Sequence, residues 1–134
     1  MTWLLFGAGN GVGACLLQRA IECEQAVVLV LRNPEQAKHW REQGMTVVEG
    51  DACDPETVAE ACRVAGPSAI VVSTMGGGTV NYQGHRTVID GAEQAGIKRM
   101  LLVTSLGCGD SWPLLSPRAR AAFGFAVREK SLAE

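Results

Sequence analysis

Residues 7 to 13 read Gly7-Ala8-Gly9-Asn10-Gly11-Val12-Gly13, four glycines in seven positions. The apolar run Trp3-Leu4-Leu5-Phe6 precedes them, and a helix-like stretch from Val12 to Cys23 follows. Glycine lets a backbone turn tightly and approach a bound group without a Cβ in the way. A helix that starts at such a turn aims its unpaired N–H groups and the positive end of its dipole at an anion. The chemistry implied is the cradling of a diphosphate. Gly9-Asn10-Gly11-Val12-Gly13-Ala14 satisfies the G-x-G-x-x-A spacing, and Gly7, Asn10 and Gly13 share a second frame with Asn in the middle. No Gly-Lys-Ser/Thr ending follows, so this is not a P-loop. The bland alternative is a glycine-rich strand-to-helix turn that binds nothing.

Such a turn works only if a sheet and helices hold it. Strand-like segments lie at Trp3 to Phe6, Ala26 to Leu31, Thr46 to Glu49, Ala69 to Ser73 and Met100 to Thr104. Most are unbroken Val/Ile/Leu runs, the mark of strands covered on both faces of a parallel sheet. Between them the helices carry their own punctuation. Asn33-Pro34 opens one that Gly44 stops, and Asp54-Pro55 opens another that Gly66 ends. A longer helix runs from about Val80 to Ala95 and closes at Gly96, and a last one starts near Pro117 and is still running at Glu134. Regular β-α alternation with right-handed crossovers predicts one doubly wound α/β domain over residues 1–134, with strand order 3-2-1-4-5.

In that architecture ligands lie beyond the C-terminal strand ends, so the residues just past each strand matter most. After the second strand comes Leu31-Arg32-Asn33-Pro34, about 20 residues beyond the glycine turn. An acidic residue there would favour NAD. A guanidinium suits a 2′-phosphate instead, which favours NADP(H) over NAD(H), unless Arg32 is simply a surface cation. After the third strand, Asp51 can accept a hydrogen bond from an adenine amino group with Ala52 beside the ring, or it is a solvated loop acid. Ser73-Thr74-Met75-Gly76-Gly77-Gly78 follows the fourth strand and reads as backbone close to a ligand, a mobile loop, or both. Thr104 and Ser105 bring hydroxyls to the place a nicotinamide would occupy, or satisfy local backbone groups at a strand end. A serine hydrolase is excluded because Val103 stands where the flanking glycine of the nucleophile motif belongs.

The bulk numbers exclude other classes. A chain of 134 residues, 47% hydrophobic and 19% charged, suits one globular domain. A net charge of −2 offers no footprint for nucleic acid or an anionic membrane. The apolar N-terminus is too short and glycine-rich for a membrane span and has no basic leader for a signal peptide. Cys15, Cys23, Cys53, Cys62 and Cys108 are odd in number and include no C-x-x-C pair. They predict reduced core thiols in a cytoplasmic protein, and with His39 and His85 far apart in sequence no metal site is expected.

The chain resembles the atypical short-chain dehydrogenase/reductases, the NmrA-like proteins and the flavin or biliverdin reductase group. The resemblance rests on Leu5-Phe6-Gly7-Ala8-Gly9 to Gly13, Val30-Leu31-Arg32-Asn33-Pro34, Val48-Glu49-Gly50-Asp51, and Val88-Ile89-Asp90-Gly91-Ala92 to Gly96-Ile97-Lys98-Arg99. It continues through Leu102-Val103-Thr104-Ser105-Leu106-Gly107 and a final helix with Lys130 and Ala133-Glu134. It implies that Gly7 to Gly13 cradle pyrophosphate, Arg32 takes the 2′-phosphate and Asp51 the adenine. Ser105 falls at the active-site serine position and Lys130 at the lysine that contacts the nicotinamide ribose.

Three features depart from the family. The tyrosine that acts as general acid four residues before that lysine is replaced by Ala126, and the single tyrosine is Tyr82. Asn10 stands at the middle glycine, which a residue tolerant of positive φ would allow. Family members also continue past the lysine helix into a further strand and a substrate-binding region, so a shortened piece of a longer enzyme is expected. Its fifth strand would then present an apolar edge able to pair with a second copy as a homodimer. With no tyrosine acid, hydride delivery suits a small acceptor that takes its proton from solvent, such as a flavin or quinone, with Ser105 as an orienting hydroxyl. Two other readings stay open: a non-catalytic NADP(H) sensor acting through a protein partner, and an α/β domain that binds no nucleotide.

Overall fold

A computed structural model describes residues 1–76, 80–103 and 113–122. Elements alternate as expected: β1 (Trp3–Phe6), α1 (Gly11–Glu22), β2 (Val27–Leu31), α2 (Pro34–Glu42), β3 (Thr46–Glu49), α3 (Pro55–Ala65), β4 (Ile70–Ser73), α4 (Val80–Gln94) and β5 (Arg99–Leu102). The five strands are parallel in order β3-β2-β1-β4-β5. This is a doubly wound Rossmann-like sheet, and the sequence places every strand within two residues of its observed bounds. Helical backbone also covers 117–122, the described part of the expected last helix.

The strand pleat divides the core. Alternate side chains point to opposite faces, so Leu4, Phe6, Val28, Val30 and Val71 pack beneath α3 and α4 against Val58, Ala61, Val88 and Ala92. Leu5, Leu29, Leu31 and Val72 face the other way, onto Leu17 and Ala20 of α1 and Ala37 of α2. Each fully buried Leu or Val contributes roughly 1.5–3 kcal/mol relative to an exposed one. The unbroken apolar runs therefore require helices on both sides. The central strands β2 and β4 carry that pattern, whereas β5 at one end alternates exposed and half-buried positions, with Leu101 58% exposed.

Helix starts follow the capping residues. Asn33 Oδ1 accepts from the N–H groups of Glu35 (2.9 Å) and Gln36 (3.3 Å), and Pro34 opens α2. The Asp54 carboxylate accepts from the Thr57 hydroxyl at 2.8 Å and from the Glu56 N–H at 3.1 Å. Those bonds, the Thr57 hydroxyl first, hold its carboxyl below the usual aspartate range. Among the described residues no helix is long and apolar enough to cross a membrane.

The thiols depart from the expectation of a core set. Cys62 is buried, but Cys15 and Cys23 are exposed on or beside α1 and Cys53 is half-buried; none of these four is in a disulfide. Cys108 lies outside the described residues. The reason is positional: Cys15 and Cys23 fall on the water-facing side of α1, opposite Leu17 and Ala20. Burial raises the Cys62 thiol, and burial, reinforced by the Asp51 carboxylate, raises Cys53. A raised pKa leaves less reactive thiolate at a given pH. Mass-mapped alkylation near pH 8 is therefore expected to modify Cys15 and Cys23 well before Cys53 and Cys62. Fast labelling of Cys62 in the folded chain would contradict this packing.

Candidate functional site

At the C-terminal end of the sheet lies a cavity of about 470 Å³. It is lined by residues 6–10 after β1, 30–33 with Gln36 after β2, 50–52 after β3, and 74–76 after β4. The winding of the sheet reverses between β1 and β4, and there the loops diverge and leave a crevice.

The turn after β1 is locked by contacts that tolerate no side chain. Gly7 has φ +84°, and a Cβ on it would lie 2.8 Å from both Met75 N and Thr74 Oγ1. A Cβ on Gly13 would fall inside the van der Waals radii of the Gly7 carbonyl oxygen and Thr74 Oγ1. The start of α1 thus rests directly on the turn. Thr74 completes the joint: its N–H donates to the Phe6 carbonyl at 3.0 Å, and its hydroxyl lies 3.0 Å from the Gly7 carbonyl and 3.3 Å from that of Phe6. From α2, Gln36 Nε2 donates to the Gly9 carbonyl at 3.1 Å.

Asn10 corrects one expectation. Its φ is −159°, extended backbone open to any residue, and the positive φ values of the turn belong to Gly7 and to Gly11 at +54°. Asn10 needs no tolerance for the left-handed region because the glycines beside it absorb the bend. It is the N-cap of α1, yet its side chain makes no capping bond and the first turn carries no acidic residue. Helices α2 and α3, by contrast, have both a side-chain cap and an acid. The first N–H groups of a helix have no intrahelical partner. In α1 the N-cap side chain does not cover them, and Asn10 stands with Gly7 and Gly9 in the cavity wall. A cradle that a Cβ would fill and a helix start without its own acid both fit a diphosphate.

Arg32 is exposed at the rim, one strand over, and joins no ion pair among the described residues. Asp51 and Ala52 line the β3 side. Asp51 Oδ1 accepts from the Cys53 N–H at 2.8 Å, which orients the carboxylate beside the cavity. The charges are close enough for Asp51 to raise the Cys53 thiol and for Arg32 to oppose that effect in part.

The cavity therefore brings together Gly7, Gly9, Asn10, Arg32, Asp51, Ala52, Thr74, Met75 and Gly76 of the sequence-derived set. Gly11, Val12 and Gly13 do not line it: Val12 is 63% exposed, and Gly13 supports the turn from behind. Ser73, expected at the cofactor, is fully buried with its hydroxyl 2.7 Å from Nε2 of buried His85. The last residue of β4 points into the core, and only with Thr74 does the chain turn toward the crevice. Thr104, Ser105 and Lys130 lie outside the described residues. Sequence reasoning passed over Asn33 and Gln36 as lining groups. Asn33 reads first as a cap, and Gln36 carries no local signal, since only the packing of α2 brings it to Gly9.

The model of the NAD(P)H-binding family matches residues 7–134. ChuY, an anaerobillin reductase from Escherichia coli O157:H7, is 60% identical with a TM-score of 0.94, over 99% of this chain and 65% of that one. An NADPH-dependent quinone oxidoreductase from Escherichia coli is 25% identical with a TM-score of 0.59, over 79% of this chain and 35% of that one. The photosystem II assembly factor Ycf39 of Synechocystis sp. is 26% identical over 111 residues, 79% of this chain and 34% of that protein. The chain thus spans about a third of Ycf39 and just under two thirds of ChuY. Glycine turn, uncapped helix start, strand order and these likenesses converge: the chain belongs to the NAD(P)H-binding family, of the atypical short-chain dehydrogenase/reductase and NmrA-like kind.

Proposed function

We propose that this chain is the coenzyme-holding part of an NADPH-dependent reductase that delivers hydride to a small conjugated acceptor such as a flavin or quinone. The observation that carries the reading is that Asn10, the N-cap of α1 whose side chain makes no capping bond, and Arg32 line the same cavity. One feature suits a diphosphate and the other a 2′-phosphate. When bound, the reduced nicotinamide supplies a hydride, a pair of electrons with one proton, and an acceptor of this class takes its second proton from water. The chain's own residues bind and orient. The Gly7–Asn10 wall receives the diphosphate, Arg32 the 2′-phosphate, Asp51 the adenine amino group beside Ala52, and Thr74 to Gly76 flank the nicotinamide half. Lys130 and the Ser105 hydroxyl complete the nicotinamide end in this reading, with Thr104 beside them.

The reductase named at 60% identity supports the activity class. A cytoplasmic location fits thiols that form no disulfide among the described residues, and the exposed Leu101 side chain on β5 fits a homodimer contact. Calorimetric titration of the chain is expected to show NADPH binding at least tenfold tighter than NADH. The full-length parent protein is expected to oxidise NADPH steadily when given FMN or a soluble quinone. Tight NADPH binding with no turnover on any conjugated acceptor would instead favour a sensor, and equal affinity for the two coenzymes would remove the 2′-phosphate assignment.

A further inference from the structure

The core holds two buried polar side chains among the described residues, Ser73 at 0% and His85 at 1% exposure, and they meet each other. Their 2.7 Å contact joins the last residue of β4 to the second turn of α4. The Ser73 hydroxyl oxygen also accepts from the Met75 N–H at 3.4 Å. Next along the helix, Gly84 is buried with Met75 lying over it: a Cβ built there would sit 3.5 Å from Met75 Cε. Gly84 and His85 thus grip the loop after β4 through one apolar and one polar contact. From the opposite side Thr74 ties the same loop to Gly7 and Phe6. Met75 and Gly76 then face the cavity.

Stability alone gives little reason for this pair. A buried hydrogen bond is worth little net, and replacing both partners by apolar groups of similar shape is often near neutral. What a satisfied buried polar contact supplies is a single geometry. We propose that His85 is a positioning residue: through Ser73 it sets the place of Met75 and Gly76, and so shapes the half of the cavity that receives the nicotinamide end of the coenzyme. This rests on the reading of the cavity as an NADPH site. The adenosine end lies with β1, β2 and β3, and the nicotinamide end lies across the reversal toward β4. The pair should therefore affect one end of the coenzyme and leave the other alone.

The test compares wild type, Ser73→Ala, His85→Leu, the double variant and His85→Gln, whose amide can reach the same hydroxyl. Three quantities are measured: thermal unfolding, dissociation constants for NADPH and for 2′,5′-ADP, and hydrogen exchange of the Met75 amide without coenzyme. Expected is a double variant that melts near wild type yet binds NADPH about tenfold more weakly, with 2′,5′-ADP changed less than twofold. Met75 exchange should quicken in Ser73→Ala and His85→Leu and stay slow in His85→Gln. Equal weakening of both ligands, or wild-type Met75 exchange in His85→Leu, overturns the assignment. Should wild type bind neither ligand, the coenzyme reading fails by itself, and the exchange data still decide whether His85 holds the loop. A double variant too unstable to titrate is replaced by the two single variants, judged on the same ratio and the same exchange.

Discussion

Gly13→Ala is expected to weaken NADPH binding by on the order of 100-fold. The added Cβ would overlap the Gly7 carbonyl oxygen and the Thr74 hydroxyl. Neither can retreat cheaply. The Gly7 carbonyl belongs to a turn at φ +84° that itself abuts Met75 N, and Thr74 is bonded to both Gly7 and Phe6. Relief must come from moving the start of α1 away from the turn. That separates the helix N–H groups from the wall against which a diphosphate would rest. A bond from N–H to a charged oxygen contributes about 1.5–3 kcal/mol, so misplacing one or two of them accounts for the expected loss. Overpacking also costs about 1–3 kcal/mol of fold stability, a fall of several degrees in melting temperature. Titration by calorimetry at a temperature where the variant remains folded separates the two effects. A folded Gly13→Ala that binds NADPH like wild type would show that α1 does not hold the diphosphate.

Arg32→Asp should reverse the coenzyme preference. Arg32 stands at the cavity rim with no ion pair among the described residues, so its charge is available to a ligand. Asparagine follows it and caps α2, which fixes the backbone on which the guanidinium is carried. Substitution by Asp removes the cation and sets a carboxylate where the 2′-phosphate would lie. NADPH is expected to weaken about 10- to 100-fold, while NADH holds or improves because a carboxylate accepts from the two ribose hydroxyls. Since Arg32 is exposed, salt should screen the wild-type preference. The NADPH-to-NADH ratio of the wild type should therefore shrink as KCl is raised, and that of Arg32→Asp should move the opposite way. A variant that keeps its preference for NADPH would place the 2′-phosphate elsewhere.

The sheet was legible because its local signals agree. Trp3 to Phe6, Val27 to Leu31 and Ile70 to Val72 are unbroken apolar runs. Asn33-Pro34 and Asp54-Pro55 each combine a capping side chain with a proline that cannot extend a helix backwards. β5 begins one residue earlier than its composition suggests: Arg99 looks like loop, yet its side chain reaches water while its backbone pairs with Ile70. The backbone of Asn10 departs from expectation for a related reason. Sequence shows which residues tolerate positive φ but not which of several neighbours takes it, and here Gly7 and Gly11 do.

The site was legible where it lies on consecutive residues and obscure where it does not. The glycine turn, Arg32 and Asp51 each follow a strand end, and strand order alone brings those ends together. Ser73 looked equally well placed, but the pleat of β4 sends it inward, so the following residue is the first to reach the crevice. His85, 12 positions beyond Ser73, carries no sequence signal at all. Its meeting with Ser73 exists only because α4 crosses back over β4 at that height.

By itself the order of residues determined the alternation of strand and helix, the direction of winding, and a phosphate-ready turn followed by a cation. Those depend on neighbours along the chain: hydrophobic period, caps, and glycine where the backbone must bend. Only the tertiary structure decided which glycines are held by packing, that Gln36 braces Gly9, and that Ser73 faces His85 rather than the cavity. Such facts depend on contacts between segments far apart in sequence, and a side chain's partner there is set by how two elements cross, which no local pattern encodes.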